Sequence, residues 1–253
     1  MTSIVGLHCI DGVVLGADSA VTFGSAGGQV STIEQNTTQK LRLVGDRFIL
    51  AGTGQVGLMQ RFHSVLEKSV LAGDFAEPES PIEYGKRLAE IGIRDFRQTY
   101  IDRVNFSAFV AGSASGQPFL CELDGDSGFQ PEMKEASDLW YVSAGIGQTI
   151  TDPFLALMRE VFWQDGPPSL RGGIFTALWA LKHVCKLNAG GIGYPIRIAV
   201  LEKETGNARM LAPEELAEHD NVVEAAMKHL GDFRDILEGL SGTQSIPAVG
   251  HAV

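Results

Sequence analysis

The order of hydrophobic patterns along the chain is the tightest constraint on its fold. Residues 3–9 and 13–17 are short apolar runs joined by a turn that ends in Asp11-Gly12, which predicts a hairpin. After the glycine-rich stretch FGSAGGQVSTIEQNTTQ, the sequence KLRLVGDRFILAGT reads as a second strand pair around Gly45-Asp46. Val56, Met59, Phe62, Leu66 and Val70 then recur every three to four positions and predict a helix over 55–71. A second helix, over 82–101, is announced by Ser80 and Glu83 as a capping box with Pro81 at the first helical position. Strands return in NFSAFVAGSASGQPFLCELDGDSG and LWYVSAG. Helices fit DPFLALMREVFW and SLRGGIFTALWALKHVCKLN, YPIRIAVLEKETGNARML reads as a closing hairpin, and a last helix ends near Leu240. Strands and helices segregated in blocks predict an α+β fold, with antiparallel sheets stacked and helices outside, rather than alternating parallel crossovers.

A chain of 253 residues, 44% of them hydrophobic, suits one domain, placed at 1–240, with the small, polar, Pro/Gly-containing 241–253 as a flexible tail. The net charge of −11 repels phosphates and anionic bilayers, so neither nucleic acid nor membrane is expected as a partner. No stretch approaches the roughly 18 to 20 unbroken apolar residues of a membrane helix, and MTSIVGLHCIDG lacks a basic n-region, so a soluble, cytoplasmic protein is expected. Cys9, Cys121 and Cys185 are odd in number, widely spaced and set among apolar residues, which predicts buried thiols. Acidic residues gather late in the chain, where apolar residues still recur at helical spacing, as on a solvated helix face.

Several site motifs fail on context. FILAGTGQVGL spells, through Gly52, Gly54 and Gly57, the glycine pattern of a dinucleotide turn. That turn needs a strand after its helix with an acid about 20 residues on, and here another helix follows instead. No Gly-Lys-Ser/Thr completes a phosphate loop. ELDGDSG lacks the closing acid of a calcium loop, the six histidines show no zinc spacing, and GSASG has Ala114 where a nucleophile elbow needs serine. No metal and no organic cofactor is expected.

The start of the chain offers different chemistry. Thr2 follows Met1, and methionine is commonly trimmed before a small second residue. A terminal threonine combines nucleophile and base, because its own α-amine, of ordinary pKa about 7.7 to 8.0, can take the hydroxyl proton near neutral pH. TSIVGLHCIDGVVLGADSAVT, followed by QKLRL, a strand and LAGTG, resembles the catalytic β-type subunits of the proteasome family, including the bacterial peptidase that works with an ATP-driven unfoldase. The resemblance is dense over 2–58 and continues as element order. It implies a four-layer αββα sandwich of the N-terminal nucleophile hydrolase type. It also implies a threonine peptidase acting on peptides or unfolded proteins inside homo-oligomeric stacked rings, with an ATP-dependent unfoldase as partner. Helices such as 55–71 and 82–101 would serve subunit contacts.

Carried over by motif, the catalytic set is Thr2 as nucleophile, Lys40 as the cation that lowers its hydroxyl pKa, Asp18 as the partner of Lys40, and Gly52 as the backbone N–H that holds the oxyanion. The backbone of Thr22 would pair with an extended peptide, and Val21, Thr38, Leu50 and Gly54 would wall a roomy apolar specificity pocket. The pattern departs at Ala20, where a basic or amide residue is common. It departs again at Ile146, where a Gly-Ser-Gly turn has its serine, leaving Ser143 only nearby, and at Lys186 and Ala189, where an aspartate and a serine precede a Gly-Gly pair. The loop between Thr22 and Lys40 is longer than usual. Two alternatives stay open: a ring subunit of weak or no activity, and an amidohydrolase of the same nucleophile class that acts on a small acylated compound.

Overall fold

A computed structural model describes residues 2–24, 30–34, 40–76, 79–99, 104–135, 139–187 and 191–239. The expected tail 241–253 lies outside them. The N-terminal hairpin forms as β1 (Ile4–Cys9) and β2 (Gly12–Ala17), and the second strand pair as β5 (Leu41–Val44) and β6 (Phe48–Gly54). Between them, β3 (Ala20–Gly24) and β4 (Val30–Glu34) pair antiparallel, with Thr22 opposite Thr32, so part of the stretch expected to be loop is a two-stranded sheet.

Helices α1 (Val56–Ala72) and α2 (Pro81–Arg97) follow β6. Pro81 opens α2 as expected. Ser80 stands at its N-cap without making a side-chain cap bond, and Glu83 pairs instead with Lys86, so the capping box does not form. The chain continues through β7 (Phe106–Ala114), β8 (Gln117–Asp124), β9 (Gln130–Lys134) and β10 (Tyr141–Ala144), then α3 (Gln148–Phe162) and α4 (Leu170–Lys186). It closes with β11 (Arg197–Glu202), β12 (Ala208–Met210) and α5 (Pro213–Leu237).

Two five-stranded antiparallel sheets result, ordered β10-β1-β2-β11-β12 and β5-β6-β7-β8-β9. The strands β1, β2, β6, β7, β8 and β11 are buried on both faces over most of their length and read as largely apolar runs, whereas the edge strand β9 (QPEMK) is exposed or half-buried. In β1, Ile4 points to the core between the sheets, while Val5, Leu7 and Cys9 point to the core under α3, α4 and α5. In β6, Ile49 and Ala51 face the other sheet, while Phe48 and Leu50 face α1 and α2. The strand period of two thus feeds two different interiors from one sequence. The product is a four-layer αββα sandwich. The outer core beneath α1 and α2 centres on Phe62, whose ring meets Phe96, Phe106 and Phe129 at centroid separations of 5.4 to 6.4 Å. Burying each such side chain stabilises the fold by roughly 1.5 to 3 kcal/mol.

All three cysteines are buried thiols outside any disulfide. Large apolar side chains left exposed gather less on α1 and α2 than on α3 (Leu157, Val161, Phe162) and α5 (Leu230, Phe233, Leu237). No described helix is long and apolar enough to cross a membrane.

Candidate active site

The ends of four strands and the lead-in to a fifth meet around the start of the chain. Thr2 and Ser3 precede β1, and Asp18 follows β2. The turn Gly145–Gly147 follows β10, Gly193 precedes β11, and Lys40 precedes β5 in the facing sheet. Thr2, Ser3, Asp18 and Lys40 are all buried, Asp18 almost completely at 1% exposure.

Asp18 organises this junction. Its Oδ1 accepts the Lys40 ammonium at 2.7 Å and the Ser3 N–H at 2.9 Å, and its Oδ2 accepts the N–H groups of Ala20 and Gly193, each at 3.2 Å. Four donors fill the acceptor capacity of an ionised carboxylate. The Asp18 N–H donates in turn to the Ser3 carbonyl at 3.2 Å, so residues 3 and 18 clasp one another at both backbone and side chain. Because Lys40 and Ser3 share one carboxylate oxygen, the ammonium lies within one residue's reach of the Thr2–Ser3 peptide. Burial lowers the pKa of Lys40 below the ordinary lysine value, and the charge and hydrogen bond of Asp18 oppose that fall. A cation held this way favours the deprotonated form of a neighbouring nucleophile.

Thr2 is enclosed from the other side by the Gly145–Gly147 turn. Gly145 lies so close that a Cβ there would stand 2.1 Å from the Thr2 carbonyl oxygen, and its φ of +85° also calls for glycine. The Gly147 N–H donates to that carbonyl at 3.4 Å.

The remaining sequence-derived positions divide. Gly52 sits beside Lys40 in the strand pairing, and its N–H already donates to the Lys40 carbonyl at 3.1 Å. A Cβ at 52 would fall 2.5 Å from Met59 Sδ and 2.7 Å from Phe106, so the glycine is required by packing beneath α1 as well as by any approach of substrate. Leu50 is wholly buried in the core under α1 and α2, because the β6 alternation turns it there, and it presents no surface to a pocket. Gly54 ends β6 at φ +104°. Val21 is buried on β3, and Thr22 lies on the same strand. Thr38 and Ala189 lie outside the described residues. Ala20 is buried with only 3.3 Å between it and a Cβ built on Gly193, Ile146 is half exposed, and Lys186 is exposed on the last turn of α4. Clefts of about 480 Å³ under His8 and Ser80, and about 440 Å³ between α4 and α5, include none of Thr2, Asp18 and Lys40.

The turn at Gly145–Gly147 was marked in the sequence only by its departure at Ile146, and Gly193 was not legible as a site residue. Gly193 reaches Asp18 across 175 residues of sequence, with no spacing signal to betray it.

Residues 1–136, more than half of the chain and the part that contributes Thr2, Asp18 and Lys40, match the family model described as proteasome subunit. The chain belongs to the proteasome subunit family. No curated protein matches it by sequence. Among solved structures, Anbu (ancestral beta-subunit) from Yersinia bercovieri superposes with a TM-score of 0.68 over 96% of this chain and 99% of that one, at 16% identity. At that identity the likeness speaks to the fold, which is the proteasome-type N-terminal nucleophile sandwich, and not to the chemistry of the site.

Proposed function

We propose that this proteasome-family chain is a threonine peptidase that, once Met1 is removed, attacks peptide carbonyls with the Thr2 hydroxyl. The observation that supports the reading is the buried Lys40–Asp18 pair, fastened through Asp18 to the N–H of Ser3, the residue next to the buried Thr2. The Thr2 α-amine takes the hydroxyl proton as the oxygen attacks the carbonyl, the Lys40 charge stabilises the developing oxyanion, and the α-ammonium returns the proton to the peptide nitrogen as the C–N bond breaks. Water then hydrolyses the acyl ester, releasing the carboxylate and the free Thr2 hydroxyl. Asp18 keeps Lys40 charged and oriented. For Gly52 to hold the oxyanion, its N–H must be shared between the Lys40 carbonyl and the substrate, as three-centre bonds allow. Val21 and Thr22 belong to the substrate strand in this reading. On the described residues β3 pairs only with β4, which leaves its other edge for an extended peptide. Peptide or unfolded protein is the substrate, a homo-oligomeric ring encloses the sites, and an ATP-driven unfoldase feeds them.

A second reading is a ring subunit of weak or no activity. The engaged Gly52 amide, the half-exposed Ile146 and the exposed Lys186 favour it, since each stands where an active relative offers a free donor or an auxiliary polar group. Intact-mass analysis with and without a peptide epoxyketone separates the two. A chain that starts at Thr2, gains one adduct, and loses it in Thr2→Ala supports the peptidase; a chain that retains Met1 and gains nothing supports the scaffold. Hydrolysis of a small acylated compound without any peptide turnover points to an amidohydrolase instead.

A further inference from the structure

The auxiliary serine that the family pattern places in the turn after β10 is Ile146 here, yet that turn adjoins a polar array of its own, which runs from the buried hydroxyls of Thr151 and Ser143 out to the half-buried Asp152 and the exposed Gln148. Ser143, on β10 opposite Val5, donates its hydroxyl proton to the Asp152 carboxylate. The Thr151 hydroxyl, wholly buried, stands 2.8 Å from Ser143 Oγ and 3.1 Å from the Gly147 carbonyl, and has one proton to give between them. Gln148 Nε2 closes on the other Asp152 oxygen at 3.0 Å. The backbone N–H groups of Ile150 and Thr151 also end on the Gly147 carbonyl at 2.9 Å. The Thr151 hydroxyl and the Ile150 and Thr151 N–H groups converge on the Gly147 carbonyl, Ser143 and through it Asp152 hold Thr151, and the Gly147 N–H donates to the carbonyl of Thr2.

We infer that Ser143, Thr151 and Asp152 form a positioning clamp that holds the Gly145–Gly147 turn against Thr2 and so fixes the direction of the chain-terminal amine and hydroxyl. The clamp acts through the turn, so these three are positioning residues. Three features lead to this. Buried hydroxyls are retained in a core only when their partners are satisfied, and here Thr151 bonds Ser143 and Ser143 bonds the half-buried Asp152. The turn they anchor is a tight one: a Cβ at Gly145 would strike the Thr2 carbonyl at 2.1 Å, and one at Gly147 would strike Ser3 Oγ at 2.6 Å. A turn packed to that tolerance transmits its own placement to residues 2 and 3. Finally, Ser3 Oγ is buried against Gly147 without a hydrogen-bond partner among the described residues, so the Ser3 hydroxyl does not share in this anchoring and the array is left to supply it. The role in catalysis rests on the peptidase reading, whereas the mechanical role does not.

Thr151→Val removes the hydroxyl with little change of shape, Thr151→Ser restores it, and Ser143→Ala cuts the link to Asp152. Two measurements are made on each variant and on the wild type: hydrogen exchange at the Ser3 and Ile4 amides, and the rate of epoxyketone capture with kcat and KM for a fluorogenic peptide. The clamp predicts loss of Ser3 protection in Thr151→Val and Ser143→Ala but not in Thr151→Ser. It further predicts that capture and kcat fall about ten- to a hundredfold in the first two, with KM within about twofold, because a misplacement near 1 Å costs that much. Unchanged protection in Thr151→Val, or a Thr151→Ser variant as impaired as Thr151→Val, overturns the clamp. A wild type that shows the protection pattern but captures no epoxyketone supports the clamp and overturns the peptidase instead.

Discussion

Replacing Asp18 by Asn tests whether one carboxylate holds the site together. The side chain keeps its size but loses its charge and one of its two acceptor oxygens, while gaining an amide that can only donate. Whichever way the amide turns, it faces either the Lys40 ammonium and the Ser3 N–H or the N–H groups of Ala20 and Gly193, so two donors lose their acceptor. Lys40 is left buried without its counter-charge. Breaking a buried pair from one side costs about 3 to 5 kcal/mol, and for a chain of this length each kcal/mol lowers Tm by about 2 to 4 °C. Asp18→Asn is therefore expected to melt on the order of 10 °C lower. Lys40→Met alone leaves Asp18 with three backbone donors and is expected to cost less. The double variant removes both charges together and is expected to recover to within about 2 kcal/mol of wild type. Urea unfolding of the four proteins closes the double-mutant cycle. An Asp18→Asn protein with wild-type stability, or a double variant in which the two losses simply add, refutes the account of Asp18 as the keystone of the junction.

Lys40 also sets a pH dependence. Its folded pKa lies below the ordinary lysine value of about 10.4, so between the two the unfolded chain binds more protons and stability rises with pH; Lys40→Met should abolish that rise in alkaline urea titrations. Peptide turnover should rise as the Thr2 amine deprotonates and fall again below pH 10.4 as Lys40 loses its charge, which a pH–rate profile will show. Gly52→Ala should lose about 1 to 3 kcal/mol by overpacking against Met59 and Phe106, with much of the loss returned by Met59→Ala, as thermal melts will measure. Burial pushes the Cys121 thiol up to about 12 and the Cys9 thiol higher still, so neither should alkylate at neutral pH until the protein is unfolded, as mass spectrometry of iodoacetamide-treated samples will reveal.

Where the sequence was legible, one physical signal dominated. The α1 stripe from Val56 places the helix to within a residue, and the apolar runs of β1, β2 and β6 declare strands buried on both faces. Boundaries failed where tertiary partners decide. The helix expected to begin at Asp152-Pro153 begins at Gln148, because the Gly147 carbonyl receives the N–H groups of Ile150 and Thr151 and carries the helix back to the turn. Strand β4 hid inside a glycine-rich stretch because its pairing with β3, not its composition, makes it a strand. In the site, Lys40 and Asp18 were readable from the motif, and the structure pairs them. The two positions whose settings differ most from expectation are Gly52 and Leu50, where the motif records a residue type but not where its amide or side chain is already committed. Gly193, Thr151 and Asp152 were unreadable, since each reaches the junction through contacts that no local period encodes.

The hydrogen bond from Gly193 to the Asp18 carboxylate has a consequence for biosynthesis. Asp18 leaves the ribosome early and its last donor very late, so the nascent chain holds an incomplete carboxylate cradle through most of translation. A fold dominated by such distant pairings closes slowly. The junction around Asp18 is therefore complete only once the segment that carries Gly193 has been made and has packed against β2.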